Sequence, residues 1–170
     1  MVTIILPGYS EHNRKWLEDV AREIRADGEI RPIYWGHWDD SSIKFNPSQK
    51  ANLLDAVSGK RVIDIIAKSI GTLVASYLIE KSPEKIRKVI FCGMPLNDIN
   101  EKEKEIIKNA LRKIPSENVL FIQNEEDPHA GSETLKMFLA DYGSKFRIVS
   151  KPSSDHEYFY QDDFNKFLLG

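Results

Sequence analysis

Six short apolar runs alternate with segments of helical periodicity along the whole chain, and this alternation restricts the fold more than any other feature. The runs are Val2–Leu6, Ile30–Trp35, Arg61–Ala67, Val89–Cys92, Val119–Ile122 and Phe146–Val149. Between them the apolar residues recur every three or four positions, as the buried stripe of a helix requires. Trp16, Leu17, Val20, Ala21 and Ile24 form the first stripe, which Asp27-Gly28 is expected to stop. Leu53, Leu54 and Val57 form the second, opened by Asn46-Pro47 and closed by Gly59. Ile70, Leu73, Val74, Tyr77 and Leu78 follow, ended by Ser82-Pro83. Then come Ile106, Ile107, Ala110, Leu111 and Ile114; Leu135, Phe138, Leu139 and Tyr142, ended by Gly143; and a last short helix with Phe164, Phe167 and Leu168.

Strands separated by helices give a parallel sheet covered on both faces. The third run is nearly continuously apolar, as a central strand should be, whereas Pro32 puts the second at an edge. A single domain spanning residues 1–170 is expected. Ligands of such sheets bind beyond the carboxyl ends of the strands. The polar stretches after the third, fifth and sixth runs therefore share one rim.

The third run ends abruptly in Ala67-Lys68-Ser69-Ile70-Gly71, with a helical pattern directly behind it. Strand, sharp turn carrying a serine, helix: this is how a nucleophile elbow reads. A serine hydroxyl is a poor nucleophile until a base takes its proton. The base is usually a histidine oriented by a carboxylate. Asp127 follows the fifth run and His156 the sixth, in the order Ser, Asp, His. Negative charge developing on the substrate needs N–H donors. Ile70, after the serine, and Tyr9, in the Pro7-Gly8-Tyr9 loop behind the first run, are the expected pair.

Taken together, Ala67-Lys-Ser69-Ile-Gly71, Pro7-Gly8-Tyr9, Asn124-Glu-Glu-Asp127-Pro and Ser154-Asp-His156-Glu resemble the α/β-hydrolase superfamily, and within it the small, lidless bacterial serine hydrolases. The resemblance covers nearly the whole chain. It implies a three-layer α/β/α fold with a six-stranded parallel sheet in the order 2-1-3-4-5-6. It also implies a triad of Ser69, Asp127 and His156. Two letters depart from the family pattern: Ala67 stands where glycine is usual, and the oxyanion loop reads Pro-Gly-Tyr where many relatives have His-Gly. Only about 24 residues, Met94 to Glu117, separate the fourth and fifth runs, so no cap domain and a shallow, open site are expected.

Each residue has a blander reading. Ser69 could be a small residue at a tight turn. Glu125 and Glu126 compete with Asp127 as the acid, and Asp155 reads as a turn residue. His12 reads as solvated; His37 and His129 lie in loops. No histidines pair at metal-ligand spacing and there is one cysteine, so neither metal nor cofactor is expected. Cys92 reads as a buried small hydrophobe. Lys68 is either a packed or surface lysine or a cation that attracts an anionic substrate. Trp35, His37 and Trp38 either pack the sheet edge or border the site. One glycine in Pro7-Gly8-Tyr9-Ser10-Glu11 rules out a dinucleotide fingerprint.

A net charge of −2 argues against a general nucleic-acid binder, and no basic block suits an anionic membrane. No run approaches the ~20 apolar residues of a membrane helix. Met1–Pro7 is too short and lacks the positive start of a signal peptide. The lone Cys92 allows no intrachain disulfide and fits a reducing cytoplasm. The expected activity is that of a serine hydrolase on a small carboxylic ester, thioester or amide, with a peptidase as a variant. The expected partner is a small-molecule substrate, with the protein a monomer or homodimer. The alternative is a binding or regulatory module on the same fold.

Overall fold

The computed structural model describes residues 1–142 and 145–170. Six strands form one parallel sheet: β1 (Val2–Leu6), β2 (Glu29–Pro32), β3 (Ile63–Lys68), β4 (Ile86–Cys92), β5 (Val119–Asn124) and β6 (Arg147–Lys151). Their order is β2-β1-β3-β4-β5-β6, as expected. Six helices cover it: α1 (Asn13–Glu23), α2 (Pro47–Ser58), α3 (Ile70–Lys81), α4 (Glu101–Lys113), α5 (Ser132–Phe138) and α6 (Gln161–Leu169). Between β4 and β5 stands only α4 with its short flanking turns, so no cap domain is inserted.

Burial follows sheet position. β1, β3 and β5 are buried along their whole length. The edge strands β2 and β6 are mostly half-buried, and Pro32 ends β2. One carboxylate lies within the central strands. Asp64 on β3 is fully buried and takes both arms of the Arg87 guanidinium from β4, at 2.9 Å and 2.5 Å. A two-pronged guanidinium–carboxylate contact is the geometry that compensates such burial.

Local chemistry sets the helix ends. The Asn46 side chain accepts the Gln49 N–H at 3.0 Å with Pro47 behind it, which starts α2. Asn100 and Glu103 form a reciprocal capping box that starts α4.

Several sequence expectations move. α1 ends at Glu23, before Asp27-Gly28. β2 stops at Pro32, and Trp35 leaves the sheet to bury its indole. β5 and β6 extend two residues beyond their predicted C-terminal ends; β3 runs from Ile63 to Lys68, starting two residues later and ending one later, and β4 starts three residues earlier, at Ile86. In α2, Leu53 and Val57 are 61% and 56% exposed, and the buried residues are Ala51, Leu54 and Ser58. Three apolar residues were too few to fix which stripe faces inward. In α3, Ile70 and Tyr77 are only partly buried, while Gly71, Thr72, Ala75, Ser76 and Ile79 join the buried set. That helix is covered on nearly every side because α2 and α4 both pack on it. The fifth helix, α5, ends at Phe138, before Leu139 and Tyr142 and well short of the predicted end at Gly143, which itself lies outside the described residues.

The tightest approach in the fold lies where α3 begins. A Cβ on Gly71 would stand 2.4 Å from the Leu6 carbonyl oxygen and 2.9 Å from that of Pro7. Backbone cannot yield as a side-chain tip can. Gly71→Ala is therefore expected to cost on the order of 2–3 kcal/mol in denaturant unfolding, and Leu53→Ser no more than about 0.5 kcal/mol.

Candidate active site

At Ser69 the backbone has φ 54° and ψ −125°, the one positive φ at a non-glycine among the described residues. The region strongly disfavours side chains, and holding a residue there costs roughly 1–3 kcal/mol. Its surroundings impose it. The Ser69 N–H donates to the Cys92 carbonyl on β4 at 2.9 Å. The Ser69 carbonyl accepts the Thr72 N–H at 2.9 Å and the Thr72 hydroxyl at 2.6 Å. Gly71 lets the new helix sit against the end of β1. Ala67 is fully buried, with Leu6 and Phe91 as its ladder neighbours. The position where the family pattern led one to expect glycine is thus an ordinary sheet residue here.

Asp127 and His156 meet. The His156 Nδ1 lies 2.6 Å from Asp127 Oδ2. The same carboxylate accepts the Tyr158 hydroxyl at 2.5 Å, and its other oxygen accepts the His129 N–H at 2.8 Å. Burial would raise the Asp127 carboxyl, but the bonds from His156, Tyr158 and His129 outweigh it and hold the group below the usual carboxylate range. Burial, and then the bond to Asp127, push the Tyr158 hydroxyl far up, so it stays a neutral donor. Glu125 and Glu126 make no such contact with His156; their backbone N–H groups bond the carbonyls of Lys151 and Ser153.

The loop carrying His156 is anchored from β5. Asn124 Nδ2 donates to the Asp155 carbonyl, the Asp155 side chain and the Glu157 carbonyl at 2.9–3.1 Å. Its N–H donates to the Tyr158 hydroxyl, and its Oδ1 accepts the Tyr160 hydroxyl. Asp155 also accepts the Glu157 N–H, so it shapes the turn as the sequence suggested.

His156 and Ser69 share one corner of the β3–β4 rim. The residue after Cys92, Gly93, has φ 57°, and a Cβ there would strike Tyr158 at 2.4 Å and His156 Cε1 at 3.0 Å. The imidazole thus lies over the backbone that holds the Ser69 N–H. The His156 Nε2 is buried and has no hydrogen-bond partner, so Ser69 Oγ is not bonded to it in this state. Nucleophile–base contacts are often open in unliganded sites and tighten with substrate.

At the loop expected to supply an oxyanion donor, Tyr9 is 56% exposed and its carbonyl accepts from His37 Nε2 and Trp38 Nε1, both at 2.7 Å. The Trp35 indole N–H reaches the Pro7 and Gly8 carbonyls at 3.3 Å and 3.0 Å. Trp35, His37 and Trp38 therefore do more than pack the sheet edge: they pin the loop that contains the Tyr9 N–H. An open groove of ≈ 440 Å³ adjoins, lined by Tyr9, His37, Ser41, Ile43, Lys44 and Phe45.

Lys68 is buried and Cys92 is a fully buried thiol pushed up by that burial. His12 is exposed yet contacts Glu157. His129 stacks edge-on against His156 with centroids 4.3 Å apart and bonds Asp98 through its other side. Sequence reasoning missed Asn124, His129, Glu157 and Tyr158. The only signal was their nearness in sequence to Asp127 and His156.

No protein-family model and no curated protein sequence matches the chain. Solved structures do. One is a serine hydrolase without a lid from Xanthomonas campestris, at TM-score 0.68 and 15% identity over 99% of this chain and 78% of that one. Another is Est1E from Butyrivibrio proteoclasticus with ferulic acid bound, at 0.65 and 16% over 99% and 88%. A third is a monoacylglycerol lipase from Paleococcus ferrophilus, at 0.61 and 12% over 99% and 92%.

The Asp127 contacts carry a pH dependence. A carboxylate whose folded pKa is depressed adds stability that is full above its unfolded pKa of ~3.9 and is lost as pH falls through the folded value. Asp127→Asn should flatten that acid limb in thermal melts between pH 7 and 3. Tyr158→Phe, which strips one bond from Asp127 and one from Asn124, is expected to cost about 1–3 kcal/mol at pH 7. Architecture, strand order and the lidless rim together give this chain the fold of the α/β hydrolases.

Proposed function

We propose that the protein is a serine hydrolase acting on a small carboxylic ester, with thioesters and amides as chemical neighbours. The observation that carries this reading is the strained Ser69 backbone, at φ 54°. A fold retains such a cost where the strained residue has work to do.

In the proposed mechanism Ser69 Oγ attacks the ester carbonyl while His156 Nε2 takes its proton. Asp127 holds the Nδ1 proton of His156 and stabilises the imidazolium that forms. The Ile70 and Tyr9 N–H groups receive the oxyanion, and the N-terminal end of α3 adds a favourable field. His156 then returns the proton to the leaving alcohol, and water releases the acyl group by the reverse route. The Asp127–His156 contact at 2.6 Å supports the tautomer this sequence needs. The open groove beside Tyr9 suits a small substrate.

A fluorophosphonate probe tests the reading. Labelling is expected at Ser69, and Ser69→Ala should remove both labelling and hydrolysis of p-nitrophenyl acetate while the far-UV spectrum is unchanged. Folded wild-type protein that resists the probe would move the chain to the binding-module reading.

A further inference from the structure

Lys68 and Glu157 flank the proposed nucleophile and base, and they are bonded to each other. Lys68 is the last residue of β3 and precedes Ser69; Glu157 follows His156. The Lys68 ammonium lies 3.2 Å from Glu157 Oε2. Lys68 is 1% exposed, an unusual state for a lysine on a sheet rim. Its ammonium sits over the Trp16 ring at 5.5 Å, while the Trp16 indole N–H donates to the Tyr158 carbonyl at 2.8 Å. On the solvent side His12 contacts the other oxygen of Glu157 at 3.1 Å. Trp16 on α1 and His12 at its N-cap thus close around the ion pair from both ends.

We infer that the Lys68–Glu157 ion pair is a positioning device that ties the His156 loop to the elbow strand and sets the imidazole above Ser69. This rests on the serine-hydrolase reading. Two ties already fix the loop, and they differ in direction. Asn124 holds it from β5, behind His156, and Asp127 orients the ring. Neither reaches β3. Lys68 is the one side chain whose recorded bonds join β3 to the segment 155–160. An error of about 1 Å between base and nucleophile costs on the order of 100-fold in rate, so a direct strut between their two chain neighbours has a geometric purpose. The pair also explains the placement of charge. Burial lowers the Lys68 ammonium, and the Glu157 carboxylate opposes that shift most strongly. A neutral residue would fill the space as well, so packing alone does not call for lysine.

The two ends of the pair are unequal, and this makes the test sharp. Glu157 is about half exposed, so without Lys68 its carboxylate is solvated and keeps His12. Without Glu157 the ammonium is left buried and uncompensated, which is the costly way to break an ion pair. Lys68→Met should therefore leave the thermal midpoint unchanged or raised, and Glu157→Gln should lower it.

Rates decide the proposal. Lys68→Met is expected to lower kcat on p-nitrophenyl acetate and the fluorophosphonate labelling rate by at least about tenfold, with KM within about twofold. The double variant Lys68→Met/Glu157→Gln should be no slower than Lys68→Met alone, because both changes remove one contact. Should Lys68→Met fail to fold, the double variant, which retains neither charge, carries the same rate comparison. Labelling within about twofold of wild type in either folded variant, or losses that simply multiply in the double, would overturn the clamp and leave the hydrolase reading intact. A wild type that resists the probe at Ser69 would overturn both.

Discussion

The structure depends most on one backbone constraint: the chain must turn from β3 into α3 within a single residue. Ser69 accepts a left-handed φ of 54° because the alternatives are closed. Its N–H is bound to β4, its carbonyl to Thr72, and the helix that follows is pressed against the end of β1 through Gly71. Three neighbouring elements over-determine one strained residue, the condition under which strain of roughly 1–3 kcal/mol persists. A relaxed turn would let α3 start farther from the sheet and withdraw the serine from the rim. The central position of β3 follows from the same need, since only a strand flanked by both β1 and β4 can be held on both sides.

Most of this was legible in the sequence because it rests on periodicity and on residues with narrow conformational roles. The strand order, the absence of a cap and the elbow at Ala67–Gly71 all follow from spacing, glycine placement and the family resemblance. Ala67, the letter that departs from the pattern, turns out to pair with Leu6 and Phe91 in the ladder, where a methyl group fits. What was not legible depends on which face turns inward and on contacts between distant segments. Leu53 and Val57 read as core yet face solvent, because a three-residue stripe cannot outvote the packing of α2 on α3. Tyr158 and Asn124 read as generic loop and strand-end residues. Their roles exist only once β5 and the segment after β6 lie side by side, at a sequence separation of 34 residues.

The polar network around the site shows why that segment needs no secondary structure of its own to be rigid. Residues 152–160 form no helix or strand, yet nearly every one with a buried polar group has a named partner. Asn124 makes five hydrogen bonds to it through its N–H, Nδ2 and Oδ1, and Asp127 takes three donors from 129, 156 and 158. Such a network is strong when complete and costly when one member is lost, because each group left behind is buried. Apolar packing from Gly93 beneath and Trp16 beside completes the mould.

Within the segment 152–160, one buried side-chain atom lacks a hydrogen-bond partner. His156 Nε2 is buried and unbonded although its ring is fixed on the other side by Asp127 and from beneath by Gly93. Leaving a buried ring nitrogen unsatisfied costs about 1–3 kcal/mol, and rotating the ring to spare that cost would forfeit the Asp127 bond. The fold therefore holds the imidazole in an orientation that is locally unfavourable for its outer nitrogen. The same holds at Ser69, whose backbone is strained at φ 54°. Ser69 and His156 are thus each held at a cost by several independent contacts, and both lie at the β3–β4 corner of the rim, where the proposed proton transfer would use them.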